Sequence, residues 1–162
     1  MRLDADLRFE LEDLYARYAA ALDDGPLEAW PDCFTEECLY LVIPRDNYDQ
    51  GLPLAIMRCE SRGMLMDRVH AVKETIMHEP RYLRHHITNI RAMALENEDD
   101  DAMPVTAHYS VIEVLHDELP KILSVGRYLD LVSRNSVGEL RFKEKRVVYD
   151  SVLVPNTIVY PL

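Results

Sequence analysis

Four long β-prone runs, residues 83–96, 105–116, 122–134 and 140–151, occupy most of the second half of the chain. The breaks between them are short: an acidic turn at 96–101, Pro120, and a turn over Asn135 to Gly138. Runs this closely spaced pair as an antiparallel meander, because parallel neighbours need a long crossover. Each run exceeds the usual strand length of about 5–6 residues, so the sheet has to twist and coil. A coiled sheet has a concave face, and something apolar must fill it.

The first half supplies the filler. Leu7, Leu11, Leu14, Tyr18 and Leu22 recur at helical spacing and predict a helix over about 4–24, with Asp4 placed to cap it. Gly25-Pro26 ends that helix, and LEAW then makes about one turn before Pro31. A strand at Leu39 to Ile43 stops at Pro44, RDNYDQG reads as an exposed turn, and residues 52–59 read as a returning strand. Ser61 is placed to cap a helix over 62–78, buried along Leu65, Val69, Val72 and Ile76. Gly126, in mid-strand, predicts a bend or bulge. Together these elements describe one α+β domain over 1–162. Its strongly curved, mixed, mostly antiparallel sheet wraps the N-terminal helices as a cone, either packed solid or open as a pocket.

Charge and cysteine content narrow the function. Eighteen basic against 29 acidic residues leave a net charge of -11, which opposes binding to nucleic acid or to an anionic membrane. The three cysteines form no CxxC pair, which excludes a disulfide framework and fits a reducing, cytoplasmic setting. No apolar stretch is long enough to span a bilayer, and MRLDADLRFELEDL lacks the pattern of a signal peptide.

Candidate chemistry is sparse. His85 and His86 are adjacent and in a strand point to opposite faces. One of them, with His108 on a neighbouring strand and Asp32, would make a two-histidine, one-carboxylate metal set, although structural or interface histidines account for them more simply. Tyr15, Tyr18, Asp32 and His85 or His86 would line the cone, and a phenol polarising a carbonyl beside a proton acceptor is isomerase or dehydratase chemistry. Buried tyrosines bonded to backbone explain the same residues. GxSxG, GxGxxG and GxxxxGK(S/T) are absent. Near the end, alternation puts Arg141, Lys143 and Lys145 on an outer face and Phe142, Glu144, Arg146 and Val148 on the other, where Glu144 and Arg146 need each other, another partner or a wet sheet end. The tail SVLVPNTIVYPL is nearly uncharged and should lie against its own core or a partner.

These segments carry a family resemblance. YARYAAALDDGPLEAWPDCFTEECLYLV, YDQGLPLAIMRCESRGMLMDRVHAV, RYLRHHITNI, GRYLDLVSR and RFKEKRVVYDS, in this order over residues 7–151, resemble the small (β) subunit of Rieske-type aromatic-ring-hydroxylating oxygenases. Within that family the chain is similar to members acting on benzoate, anthranilate or salicylate. The resemblance implies a cystatin or nuclear-transport-factor-2-like cone with no catalytic, cofactor-binding or metal-binding residues of its own. It also implies a large (α) subunit holding a Rieske 2Fe–2S cluster and a mononuclear Fe(II), and a heterohexamer of three large and three small subunits. Within that assembly the small subunits form a trimer, and electrons arrive from NAD(P)H through a reductase, often with a ferredoxin. It points to Tyr48, Asp49, Arg58, Arg62, Arg81, Arg84, His85, His86, Arg146 and Tyr149 as subunit contacts. The competing readings are a stand-alone isomerase or dehydratase with a small hydrophobic ligand, and a homo-oligomeric binding module. Both require an open cone.

Overall fold

A computed structural model describes residues 4–74, 81–93, 101–151, 153 and 158–162. Helix α1, Ala5–Asp23, buries Leu11, Leu14, Tyr15, Tyr18, Ala21 and Leu22 and keeps Arg8–Glu12 and Arg17–Asp13 pairs on its wet side. Asp4 precedes the helix, but its side chain makes no capping hydrogen bond. At the other end Gly25 takes φ +73°, which a side chain would strain, and its amide closes on Ala20 O at 3.1 Å. Two single 3₁₀ turns, Leu27–Ala29 and Pro31–Cys33, lead into strand β1, Phe34–Pro44. The RDNYDQG segment is not a plain turn: Arg45–Asp49 forms a short helix, α2. The returning strand shrinks to β2, Met57–Cys59, since Pro53 and the exposed Leu52 and Leu54 lie outside the ladder. Helix α3, Arg62–Glu74, buries Leu65, Val69 and Val72, and Ser61 Oγ accepts from the Met64 amide at 3.2 Å. The expected continuation to 78, with Ile76, lies outside the described residues, as does most of the acidic turn at 96–101.

The four long strands are β3, Arg81–Ala92, β4, Met103–Leu115, β5, Lys121–Arg134, and β6, Leu140–Tyr149. They form the expected meander, and the full sheet runs β2-β1-β6-β5-β4-β3. Among the described residues only β1 and β6 pair in parallel. Register shifts interrupt every ladder of the meander, after Thr88, Val111 and Leu131. Each extra residue adds bend and twist, so the sheet curls over α1. Asn89, at φ 55°, sits in the first of these shifts.

The bulges do not fall at Gly126. That residue keeps regular register with Tyr109 and Tyr149. What it provides is closeness: a Cβ there would lie 2.1 Å from Val148 O and 2.9 Å from Tyr149 Cα. Gly126→Ala is therefore expected to force β5 from β6 and destabilise the chain by about 1–3 kcal/mol, as overpacking does. Urea unfolding measures this, and an unchanged midpoint would contradict the close approach.

Candidate functional site

The cone interior is packed with aromatic side chains. Tyr15, Tyr18, Trp30, Tyr40, Tyr128 and Phe142 are all fully buried. Their rings meet mostly edge to face: Tyr15–Phe142 centroids are 5.2 Å apart, Tyr18–Phe142 5.6 Å and Trp30–Tyr40 5.2 Å, while Tyr109 and Tyr128 stack at 4.6 Å. In their midst lies Lys145, wholly buried. Its Nζ donates to Asp130 Oδ2 at 2.8 Å and sits 3.7–4.6 Å from the ring centres of Tyr128, Phe142, Tyr15 and Tyr18. Tyr15 donates to the same Oδ2 at 2.5 Å.

This corrects the expectation for Lys145, which alternation put outside. Along β6 the register steps from Leu131↔Glu144 to Val132↔Phe142, so Lys143 is the extra residue of a bulge. Beyond it the faces exchange, and Phe142, Lys145 and Val147 all point inward. The sequence held one signal: Phe142 and Val147 are five apart, an odd spacing that one regular strand cannot bury on one face. Of the alternatives for Glu144 and Arg146, they take each other as partners, at 2.6 Å. Lys143 and Arg141 are paired too, with Asp101 at 2.8 Å and Glu139 at 2.6 Å.

Burial sets the ionisation of this interior. It pushes the Asp130 carboxyl up despite the opposing pull of Lys145 and Tyr15, and pushes the Lys145 amine down to about 8. It holds the phenols of Tyr15, Tyr18 and Tyr128 well above the usual tyrosine range, and raises Tyr40 and Tyr109 as well. The thiols of Cys33 and Cys38 are pushed up to about 11, mainly by burial, so neither is a ready nucleophile.

The structure separates the residues proposed for isomerase chemistry. Tyr15 is committed to Asp130, and Tyr18 donates to Leu162 O. Asp32 is at the surface, ion-paired with Arg62. His85 does turn inward, but Asp23 holds it twice, through the His85 amide at 2.8 Å and Nδ1 at 2.6 Å. His86 and His108 are exposed on the outer face of β3 and β4, with His108 Nδ1 3.0 Å from Asn89 Nδ2. The suggested metal set is thus not assembled. Among the described residues no group of three His, Cys, Asp or Glu side chains could hold a metal ion.

Most residues expected at subunit contacts reach the surface. Arg58 pairs with Glu60 at 2.6 Å. Arg62 spans Glu36 at 2.7 Å, Asp32, and the Pro31 carbonyl at 3.2 Å. Arg84 meets Asp24 at 3.0 Å. On α2, Asp49 lies 3.5 Å from Arg127, whose guanidinium sits 5.7 Å from the Tyr48 ring centre. Arg81 is mostly covered, 2.6 Å from the buried Glu113. The side chain of His85 is fully buried against Asp23, and Tyr149 is only 5% exposed, so in this chain neither presents a contact surface. Sequence reading missed the Lys145–Asp130 pair, the His85–Asp23 pair, and the Arg134 fork on Glu10 at 2.6 and 3.2 Å. Each joins residues far apart in the chain, and no spacing encodes it.

The model of the family described as ring hydroxylating beta subunit matches residues 17–156. The chain is 34% identical to the anthranilate 1,2-dioxygenase small subunit of Burkholderia cepacia, covering 95% of this chain and 93% of that one. It is 31% identical to the terephthalate 1,2-dioxygenase terminal oxygenase component subunit beta 2 of a Comamonas species, covering 91% and 93%. Among solved structures it is similar to a beta subunit assigned to an aromatic-ring-hydroxylating dioxygenase of Novosphingobium aromaticivorans, with TM-score 0.83, 34% identity, and coverage of 96% and 95%. It shares its fold with naphthalene 1,2-dioxygenase, at TM-score 0.81 and 19% identity, covering 99% of this chain and 88% of that one.

Proposed function

The chain belongs to the family of ring hydroxylating beta subunits, the small subunits of multisubunit oxygenases, and from this premise we propose that it is a non-catalytic, single-domain structural subunit. One observation carries the reading: the cone that would hold a substrate is filled by the chain's own aromatic side chains and by Leu162. Chemistry then belongs to a partner. That partner is a large subunit carrying a Rieske cluster and a mononuclear iron, supplied with electrons from NAD(P)H through a reductase and, where present, a ferredoxin. It works in the cytoplasm on a carboxylated aromatic ring, as the names of the anthranilate and terephthalate relatives suggest. The small subunit stabilises an assembly of three large and three small chains.

The contact surface in this reading comprises Tyr48, Asp49, Arg58, Arg62, Arg84, His86 and Arg146, with Arg81 at its edge. Arginine suits it, because its planar fork grips a carboxylate with direction as well as charge. No helix among the described residues is long and apolar enough to cross a membrane.

Co-expression with a large subunit tests the reading. Ring hydroxylation and iron should appear only with the large subunit present; tightly bound iron or activity in this chain alone would overturn it. Arg58→Glu should weaken assembly about tenfold or more, measured by sedimentation, with an unchanged circular dichroism spectrum. Unaltered assembly would remove Arg58 from the contact surface.

A further inference from the structure

The aromatic cone is filled, but a hollow outside it is open. It lies between the turns at Leu27–Ala29 and Pro31–Cys33 on one side and helix α3 on the other, with a volume of about 210 Å³. From α3 it is lined by Met66, Val69, His70, Lys73 and Glu74, whose helical spacing makes them one face. Glu28 and Pro31 form the opposite wall. Single 3₁₀ turns are too short to cover that helix face.

The hollow is apolar in its depth and polar at its rim. Pro31 and Val69 are buried, while Met66 beside them is 57% exposed. The Lys73 ammonium donates to the Glu28 carboxylate, which ties α3 to the first turn and cancels both charges. Two exposed polar side chains are left over: His70 and Glu74 make no hydrogen bond or ion pair among the described residues. The one uncompensated charge on the lining is therefore the Glu74 carboxylate. Apolar walls with a few polar groups to orient a guest are the arrangement of a small-molecule site. Methionine is suited to such a wall, since its flexible thioether adapts to irregular and aromatic surfaces.

We infer that this hollow binds a compact organic cation. Its volume lies below the range of about 300–1,000 Å³ typical for drug-sized ligands, so the guest is one ring or a short branched chain that carries an ammonium group. The apolar body rests on Pro31, Met66 and Val69. The ammonium takes Glu74 as its counter-charge, with the His70 imidazole as a second acceptor. An anion of the same shape meets a carboxylate that no cation offsets. None of these lining residues belongs to the contact surface proposed above, so the inference stands or falls apart from the subunit role.

The probe is benzylammonium, with benzyl alcohol and benzoate as neutral and anionic counterparts. Each is titrated into the full chain in about 0.15 M salt, which screens diffuse attraction to an acidic protein, and followed by amide NMR. Benzylammonium should shift the amides of Glu28 and of residues 66–74 saturably, with a dissociation constant of about 1–10 mM for so small a guest. Benzoate should bind about tenfold more weakly or less. Glu74→Gln should weaken benzylammonium about fivefold and leave benzyl alcohol unchanged, whereas Glu37→Gln, an exposed acid elsewhere, should alter neither. Met66→Ser should weaken both. These positions are exposed, so the variants should keep the fold, as circular dichroism checks. Absence of saturable shifts at these amides, equal binding of benzylammonium and benzoate, or equal effects of the Glu74 and Glu37 changes would overturn the assignment.

Discussion

Asp130→Ala is expected to cost about 3–5 kcal/mol of unfolding free energy, because it strands Lys145 as an unpaired ammonium in a dry aromatic interior. The four rings around Nζ soften that loss but cannot accept its protons as a carboxylate does. Lys145→Met together with Asp130→Ala should cost clearly less than the two single losses added, since neither charge is then left alone. Urea unfolding at neutral pH reads both effects as a lowered midpoint with an unchanged slope. A single-variant loss below about 1 kcal/mol would mean that water reaches the pair. The pair also marks the pH profile. The folded amine titrates at about 8, below its ordinary 10.5. Between these values the unfolded chain holds a proton that the folded chain has released, so this group's contribution to stability rises with pH across that window. Lys145→Met should flatten the rise.

Above pH 10 the sign reverses, and the effect is larger. Tyr15, Tyr18, Tyr40, Tyr109 and Tyr128 are all held neutral in the fold beyond the pH at which unfolded phenols ionise. The unfolded chain then binds fewer protons, and stability falls as pH rises. Each phenol contributes about 1.4 kcal/mol per pH unit, so five approach about 7 kcal/mol per unit once the unfolded forms are ionised. A domain of ordinary stability, about 5–15 kcal/mol, does not survive one or two such units. The chain should therefore unfold abruptly near pH 11–12. Phenolate absorbance and far-ultraviolet circular dichroism should change together in one step. Gradual phenolate formation with an intact circular dichroism signal would show that these hydroxyls are reachable in the fold. Tyr128→Phe should make the alkaline step shallower by one proton at little cost at neutral pH, because the Tyr128 hydroxyl has no hydrogen-bond partner among the described residues.

Much of the architecture was legible because it follows from periodicity. The α1 stripe, the Ser61 cap and the meander all rest on local spacing, and they recur in the structure. That His85 and His86 face opposite sides follows from the pleat alone, but which of them turns inward does not. What escaped was whatever depends on a register the sequence does not write down. One extra residue at Lys143 reversed the faces of β6 and carried Lys145 from the expected surface into the core. Helix α2 escaped because five residues contain too little period to recognise. The surface arginines could be named, but the ion pairs of Arg62 with Glu36 and of Arg84 with Asp24 are tertiary facts.

The parallel pairing of β1 with β6 has a consequence for how the chain is made. Strand β1 ends at Pro44, and its sheet neighbour begins at Leu140. At ordinary elongation rates about 5–20 s separate their emergence from the ribosome. Throughout that interval β1 has an unsatisfied edge, and α1 lacks part of the surface it packs against. The fold closes only once β6 has emerged, so the hazard of misassembly persists for as long as the strands between β1 and β6 are being made.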